Sequence, residues 1–220
     1  MPHPLDNPTS LALRRAMVET QIRARGIHSQ RVLDAMLAVP RHAFVPEHSI
    51  EAAYSDRPLD IGEGQTISQP YIVAAMAHAF DLHGGEKLLD VGTGSGYSAA
   101  ILSMLGARVF TIETHASLAE RAQRAFDLIG CAIISMRTGD GSLGWPEEAP
   151  FDAIAVAAAA PGIPQPLVEQ LAEGGRLVIP IGDTQEQELT LVRKIAGVVN
   201  SFRLTPCRFV PLKGQHGFAA

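Results

Sequence analysis

The stretch Leu88-Leu89-Asp90-Val91-Gly92-Thr93-Gly94-Ser95-Gly96-Tyr97 decides the fold. An apolar run of strand length ends on an acid, glycines follow, and then helix-forming residues begin. Ligands of open α/β sheets bind at this carboxyl end of the central strands. Glycine lets the backbone approach a ligand where a Cβ would block it. A dinucleotide fold would show GxGxxG. Here glycines at 92, 94 and 96, with Tyr97 where the last should fall, give DxGxGxG. Preceded by a strand and an acid, that spacing favours S-adenosylmethionine over NAD.

Outward from this point the pattern is regular. Apolar runs at 87–91, 108–112, 132–136, 151–156 and 176–181 have strand length. Helical stretches at 95–105, 117–129 and 165–171 separate most of them. Such alternation implies a mostly parallel sheet covered on both faces. Two further runs, 188–194 and 207–210, have no helix between them and suggest an antiparallel pair that completes seven strands.

Upstream, a helix starting at Thr9 or Ser10 is stopped by Gly26. A second, with Ser29 as N-cap, must end before Pro40. Together they form an N-terminal helical cap. Pro2, Pro4 and Pro8 leave residues 1–9 extended and disordered. Residues 10–70 are a helical extension and loop, continuous with a cofactor-binding domain over 71–220. Residues 40–70 lack periodicity, and a loop this long in a compact domain is usually functional. Its last part, Gly62-Glu63-Gly64-Gln65-Thr66-Ile67-Ser68-Gln69-Pro70, reads as a binding loop entering a helix over 71–80.

Two more strand ends carry acids. Glu113 follows Val109-Phe110-Thr111-Ile112, where a carboxylate can accept from both ribose hydroxyls. Its bland alternative is a solvated side chain capping the next helix. Asp140, in Gly139-Asp140-Gly141 after the third strand, is placed to accept from an adenine amino group.

The net charge of −5 and the absence of any Lys/Arg run beyond two residues argue against a nucleic-acid partner. Cys131 and Cys207 form no disulfide framework or metal-ligand spacing, and the eight His residues show no HxH or HExxH. No metal is expected. The start Met1-Pro2-His3-Pro4 does not read as a secretory signal, and no apolar run approaches membrane-spanning length. The compartment reads as cytoplasmic, with no membrane partner, and the chain as a monomer.

The sequence closely resembles the protein-L-isoaspartate O-methyltransferases from about residue 10 onward. The resemblance rests on Val39-Pro40-Arg41 with Phe44-Val45-Pro46, the loop Gly64-Gln65-Thr66-Ile67-Ser68-Gln69-Pro70, and the glycine motif. It continues through Gly139-Asp140-Gly141 with Gly144-Trp145, Ala149-Pro150-Phe151-Asp152 and Arg208-Phe209-Val210-Pro211-Leu212. The glycine motif gives only the cofactor class; the Gln-Thr-Ile-Ser-Gln-Pro loop gives the acceptor.

The resemblance implies a Rossmann-like class I methyltransferase fold. It implies methyl transfer from S-adenosylmethionine to the free α-carboxylate of isoaspartyl residues in damaged proteins, leaving S-adenosylhomocysteine. It assigns Ser68 as the active-site serine. Cofactor binding falls to Thr66, Ile67, Asp90, Gly92, Thr93, Gly94, Ser95, Gly96, Glu113, Thr114, Gly139, Asp140 and Gly141. Substrate contacts fall to Gln65, Gln69, Pro70, Val156, Ala157 and Ala158. Where the family usually has Val-Thr-Ala, this chain has Val156-Ala157-Ala158, so one hydroxyl is missing. Backbone groups of Val156 and Ala157 are expected to pair with the peptide instead.

A Ser-His-Asp hydrolase is disfavoured, since Ser68 lacks the G-x-S-x-G elbow. Other readings are a same-fold methyltransferase of another peptide carboxylate, a non-catalytic isoaspartyl-binding module, and an RNA methyltransferase, which the acidic balance disfavours.

Overall fold

A computed structural model of the protein describes residues 3–131 and 134–218. The chain opens with α1 (Pro8–Ala16), which continues as a π-helical turn (Met17–Ile22) and a 3-10 turn (Arg23–Arg25). Gly26, at φ 93°, ends this run. α2 (Gln30–Ala38) follows Ser29 as its N-cap residue, and α3 (Ile50–Ala53) is one short turn. Strands β1 (Leu59–Gly62) and β2 (Gln65–Ile67) make a separate antiparallel hairpin, and α4 (Pro70–Phe80) leaves it. The main sheet then takes shape as β3 (Lys87–Val91), α5 (Tyr97–Met104), β4 (Arg108–Glu113), α6 (Ala116–Ile129), β5 (Ile134–Thr138) and β6 (Phe151–Val156). It is completed by α7 (Gln165–Glu169), β7 (Leu171–Gly182), β8 (Gln187–Ile195) and β9 (Val198–Cys207).

The seven strands lie in the order β5-β4-β3-β6-β7-β8-β9. β5, β4, β3, β6 and β7 pair in parallel, whereas β7–β8 and β8–β9 are antiparallel. The connections leaving the neighbouring strands β3 and β6 run in opposite directions, so a crevice opens at the carboxyl ends of β3 and β6. This is the expected class: α/β, Rossmann-like, mostly parallel, with a helical N-terminal cap.

Successive strand residues face opposite ways. Leu88 and Val109 join the large apolar cluster formed with α1, α2, α4, α5 and α6, while Leu89, Val91, Phe110 and Ile112 join the other. Helices cover both faces, but unequally. The second face is closed mainly by Leu167 of α7, Leu212 of the tail and Trp145, whose ring meets Phe110 edge-on at 5.6 Å.

Several expected boundaries move. The last strand is 198–207 rather than 207–210. Most of β9 is exposed, so no buried face gives it an alternating signature, and it is set by the Ala196-Gly197 hairpin turn, both residues having positive φ. The third strand, described over Ile134–Thr138, runs two residues past the expected end at 136; Ala132 and Ile133, the expected start, lie outside the described residues. The expected disorder over residues 1–9 does not extend to Asp6–Thr9. Asn7 caps α1 in a reciprocal capping box with Ser10, Pro8 takes the first helical position, and Asp6 forms an ion pair with buried Arg14. Met1 and Pro2 are not among the described residues. The aperiodic 40–70 segment holds a 3-10 turn (Arg41–Phe44), α3 and the β1–β2 hairpin.

Candidate active site

Glu113 ends β4 and is buried. Its Oε2 accepts from the Gly94 amide at 2.8 Å and its Oε1 from the His115 amide at 2.9 Å. One carboxylate thus ties the glycine loop after β3 to the start of α6. A carboxylate oxygen can accept more than one hydrogen bond, so both retain capacity for a diol placed over the loop. Opposite, the hairpin's Ile61 side chain would stand 3.4 Å from a Cβ on Gly94, whose φ of 53° favours glycine. The loop ends on Gly96, the N-cap of α5, at φ 91°.

Asp90 lies beneath this loop rather than in it. It is fully buried, and its Oδ2 accepts from Thr111 Oγ1 at 2.9 Å; that hydroxyl is 2.6 Å from Thr93 Oγ1. Burial pushes the Asp90 carboxyl up to about 7, the Thr111 hydrogen bond opposing and nearby Glu113 adding to the rise. The chain Asp90–Thr111–Thr93 therefore braces the glycine loop from below.

The hairpin forms the facing wall. Its tip is latched to α6 by Ser117 Oγ donating to Glu63 at 2.6 Å and by Arg121 donating to the Ile61 carbonyl at 2.6 Å. Beyond it, Ser68 is half-buried and lines the cleft. Among the described residues its carbonyl accepts from Arg41 Nη2 at 2.7 Å, whereas its hydroxyl has no protein partner. The Gln69 side chain donates through Nε2 to Asp56 at 2.9 Å, and Asp56 also holds Arg25.

Asp140 follows β5. Its Oδ1 accepts from the amide and hydroxyl of Ser142, and its Oδ2 from the Gln215 amide at 2.8 Å. These hydrogen bonds outweigh burial and hold its carboxyl below the usual range. The tail reaches it because residues 210–212 pair with Ala159: the Ala159 amide donates to Val210 and the Leu212 amide to Ala159.

One cleft brings together Gln65, Thr66, Ile67, Ser68, Gly92, Thr93, Gly94, Ser95, Glu113, Thr114, Gly141, Ala157 and Ala158 of the expected set. It does not bring Asp90, Gly96, Gly139, Asp140, Gln69, Pro70 or Val156 to its wall. Val156 is wholly buried in the second apolar cluster, and the Ala157 amide already donates to Val91 at 2.8 Å. The Ala157 amide is thus engaged within the sheet and is not free to donate to a peptide. Sequence reasoning missed Tyr97, Ser98, His115 and the tail residues Val210–Lys213, all of which line the cleft. The resemblance had marked Val210-Pro211-Leu212 without giving a role, and nothing local shows that the tail folds back.

A parallel sheet with a switch point at β3, a glycine loop fitted to a close ligand, and an acid at the end of β4 define a class I S-adenosylmethionine-dependent methyltransferase. Residues 12–217 match the family model for protein-L-isoaspartate(D-aspartate) O-methyltransferase. A protein-L-isoaspartate O-methyltransferase of Syntrophobacter fumaroxidans is 55% identical over 205 residues, covering 93% of this chain and 96% of the relative. One from Geobacter metallireducens is 52% identical, covering 93% and 95%. A solved Plasmodium falciparum structure, described as a protein-L-isoaspartate O-methyltransferase in complex with S-adenosyl-L-homocysteine, superposes with a TM-score of 0.80 at 28% identity, covering 91% of this chain and 98% of that one. The chain belongs to the protein-L-isoaspartate(D-aspartate) O-methyltransferase family. As a member it is an S-adenosylmethionine-dependent enzyme acting on isoaspartyl residues of proteins.

Proposed function

We propose that Ser68 and the 65–70 loop hold the isoaspartyl α-carboxylate against the cofactor cradled by 92–96 and Glu113. The observation that carries this reading is that Ser68 and Glu113 line one cleft, so acceptor and donor share a single space. Bound there, the cofactor supplies a methyl group on a sulfonium that leaves as a neutral thioether. The acceptor carboxylate is ionised at neutral pH, so no general base is needed. What the protein contributes is alignment, which can be worth several kcal/mol. The Ser68 hydroxyl donates to one carboxylate oxygen and leaves the other to attack. Asp90 and Thr111 hold the loop, while Glu113 takes the ribose. The 139–141 turn and Thr114 border the adenine end, with Asp140 fixing that turn through Ser142 and the tail. Gln65, Ala157 and Ala158 face the peptide, and Gln69 and Pro70 set the path of the loop.

The ester formed then closes to a succinimide when the following backbone nitrogen attacks it and methanol leaves. We take the enzyme to be a cytoplasmic monomer without nucleic-acid or membrane partners. No helix among the described residues is long and apolar enough to cross a membrane.

The test is transfer of labelled methyl from S-adenosylmethionine to paired isoaspartyl and aspartyl peptides. A base-labile ester on the isoaspartyl peptide alone is expected; labelling of neither, with S-adenosylhomocysteine still bound, would overturn the acceptor. Ser68→Ala should lower kcat by at least about tenfold, the equivalent of one lost hydrogen bond to a charged group. Its affinity for S-adenosylhomocysteine should stay within about twofold.

A further inference from the structure

The most unusual charge in the molecule lies behind the acceptor wall. Arg41 has no exposed surface. Its Nε donates to the Ala53 carbonyl at 2.7 Å, its Nη2 donates to the Ser68 carbonyl at 2.7 Å, and its guanidinium lies 4.8 Å from the centre of the Tyr97 ring. Nη1 is buried without a partner. Burial lowers its pKa to about 10, which still leaves it charged at neutral pH.

Among the described residues no carboxylate forms an ion pair with it, and Asp56, which acts on it only from a distance, is paired with Arg25. Buried Arg14 has Asp6, and Arg25 has Asp56. Removing a cation from water without a counter-ion is costly, and carbonyls and an aromatic face offset only part of that cost. Ser68 and Tyr97, the two groups it grips, both line the cleft.

We propose that Arg41 is the counter-charge for the acceptor carboxylate, a positioning residue that acts through Ser68 and Tyr97 without touching the substrate. The proposal rests on the reading that the carboxylate is held at Ser68. The cation lies one residue layer behind that position, in surroundings of low polarity where a charge acts over several ångströms. It fixes the Ser68 backbone through a directional hydrogen bond and biases the site toward an anion. It contributes nothing to telling isoaspartyl from aspartyl linkage, since both are carboxylates. It selects against the neutral carboxamide.

The experiment compares the affinity of the S-adenosylhomocysteine-bound enzyme for an isoaspartyl peptide and for the same peptide with that carboxylate replaced by a carboxamide. Wild type should prefer the carboxylate by at least about tenfold. Arg41→Gln should bring the two affinities to within about threefold, and Arg41→Lys should keep most of the preference, while all three bind S-adenosylhomocysteine within about threefold of one another. Arg41→Lys should also lose kcat, because an ammonium cannot reproduce the guanidinium fork. A wild type without carboxylate preference, an Arg41→Gln that keeps it, or a folded Arg41→Lys that loses it would each overturn the proposal. If Arg41→Gln does not fold, the wild-type ratio and the Lys variant still decide. Failure of wild type to methylate the isoaspartyl peptide would instead sink the acceptor reading itself.

Discussion

At the scale of single residues, the site is built by carboxylates whose oxygens serve the backbone. Glu113 receives the Gly94 and His115 amides, and Asp140 receives those of Ser142 and Gln215. Asp90 differs, being buried with one oxygen unpaired and its carboxyl pushed up to about 7. Unfolded, an aspartate titrates near 4. Between these values the native state binds more protons than the unfolded state, so this group's contribution to stability falls as pH rises from about 4 to about 7 and is flat above. Over roughly three pH units the change is on the order of 4 kcal/mol. In urea unfolding, the stability of wild type relative to Asp90→Asn should therefore decline from pH 4.5 toward pH 8. An unchanging difference would mean that Asp90 stays ionised throughout. The acid was legible in the sequence from its place before the glycines, but its role was not. Thr111, whose hydroxyl donates to Asp90, sits on the neighbouring strand, where no local pattern marks it.

At the scale of elements, the turn from β3 into α5 makes a steric demand that only glycine meets. Gly96 has φ 91°, and a Cβ there would meet Phe126 Cε1 at 2.7 Å. Gly96→Ala should destabilise the protein by about 2–5 kcal/mol, the sum of left-handed strain and overpacking against α6. Adding Phe126→Leu should restore only the packing part. Chemical denaturation checks both, and a loss below about 0.5 kcal/mol would show that the turn relaxes freely. The five parallel strands and the helices between them were legible because buried strands read as apolar runs and α6 carries a helical stripe. β9 was not, because an exposed edge strand has no buried face to mark its period. Nor was the β1–β2 hairpin, whose short strands are held by Arg121 and Ser117 on α6.

At the scale of the whole molecule, the cleft is closed by segments far apart in the chain. Residues 210–212 pair with Ala159, Leu212 fills the second apolar cluster, and the Gln215 amide reaches Asp140. Deleting residues 211–220 should lower affinity for S-adenosylhomocysteine by at least about tenfold, roughly 1.4 kcal/mol. It should also speed amide exchange across 139–145, because the tail supplies hydrogen bonds to Asp140 and Ser142. Calorimetric titration and hydrogen exchange measure the two effects; wild-type values in both would make the tail a bystander.

The sequence by itself determined the sheet, the glycine loop and Glu113 at the next strand end, because each is written in contiguous residues whose spacing has a local physical meaning; the Ser68 loop was marked by its resemblance to the family. Only the tertiary structure decided which of them share a wall. It placed Asp90 under the loop, committed the Ala157 amide to the β3 ladder, folded the tail over the cleft and set a buried Arg41 behind Ser68. Those outcomes depend on hydrogen bonds and packing between residues distant in sequence, which no local pattern records.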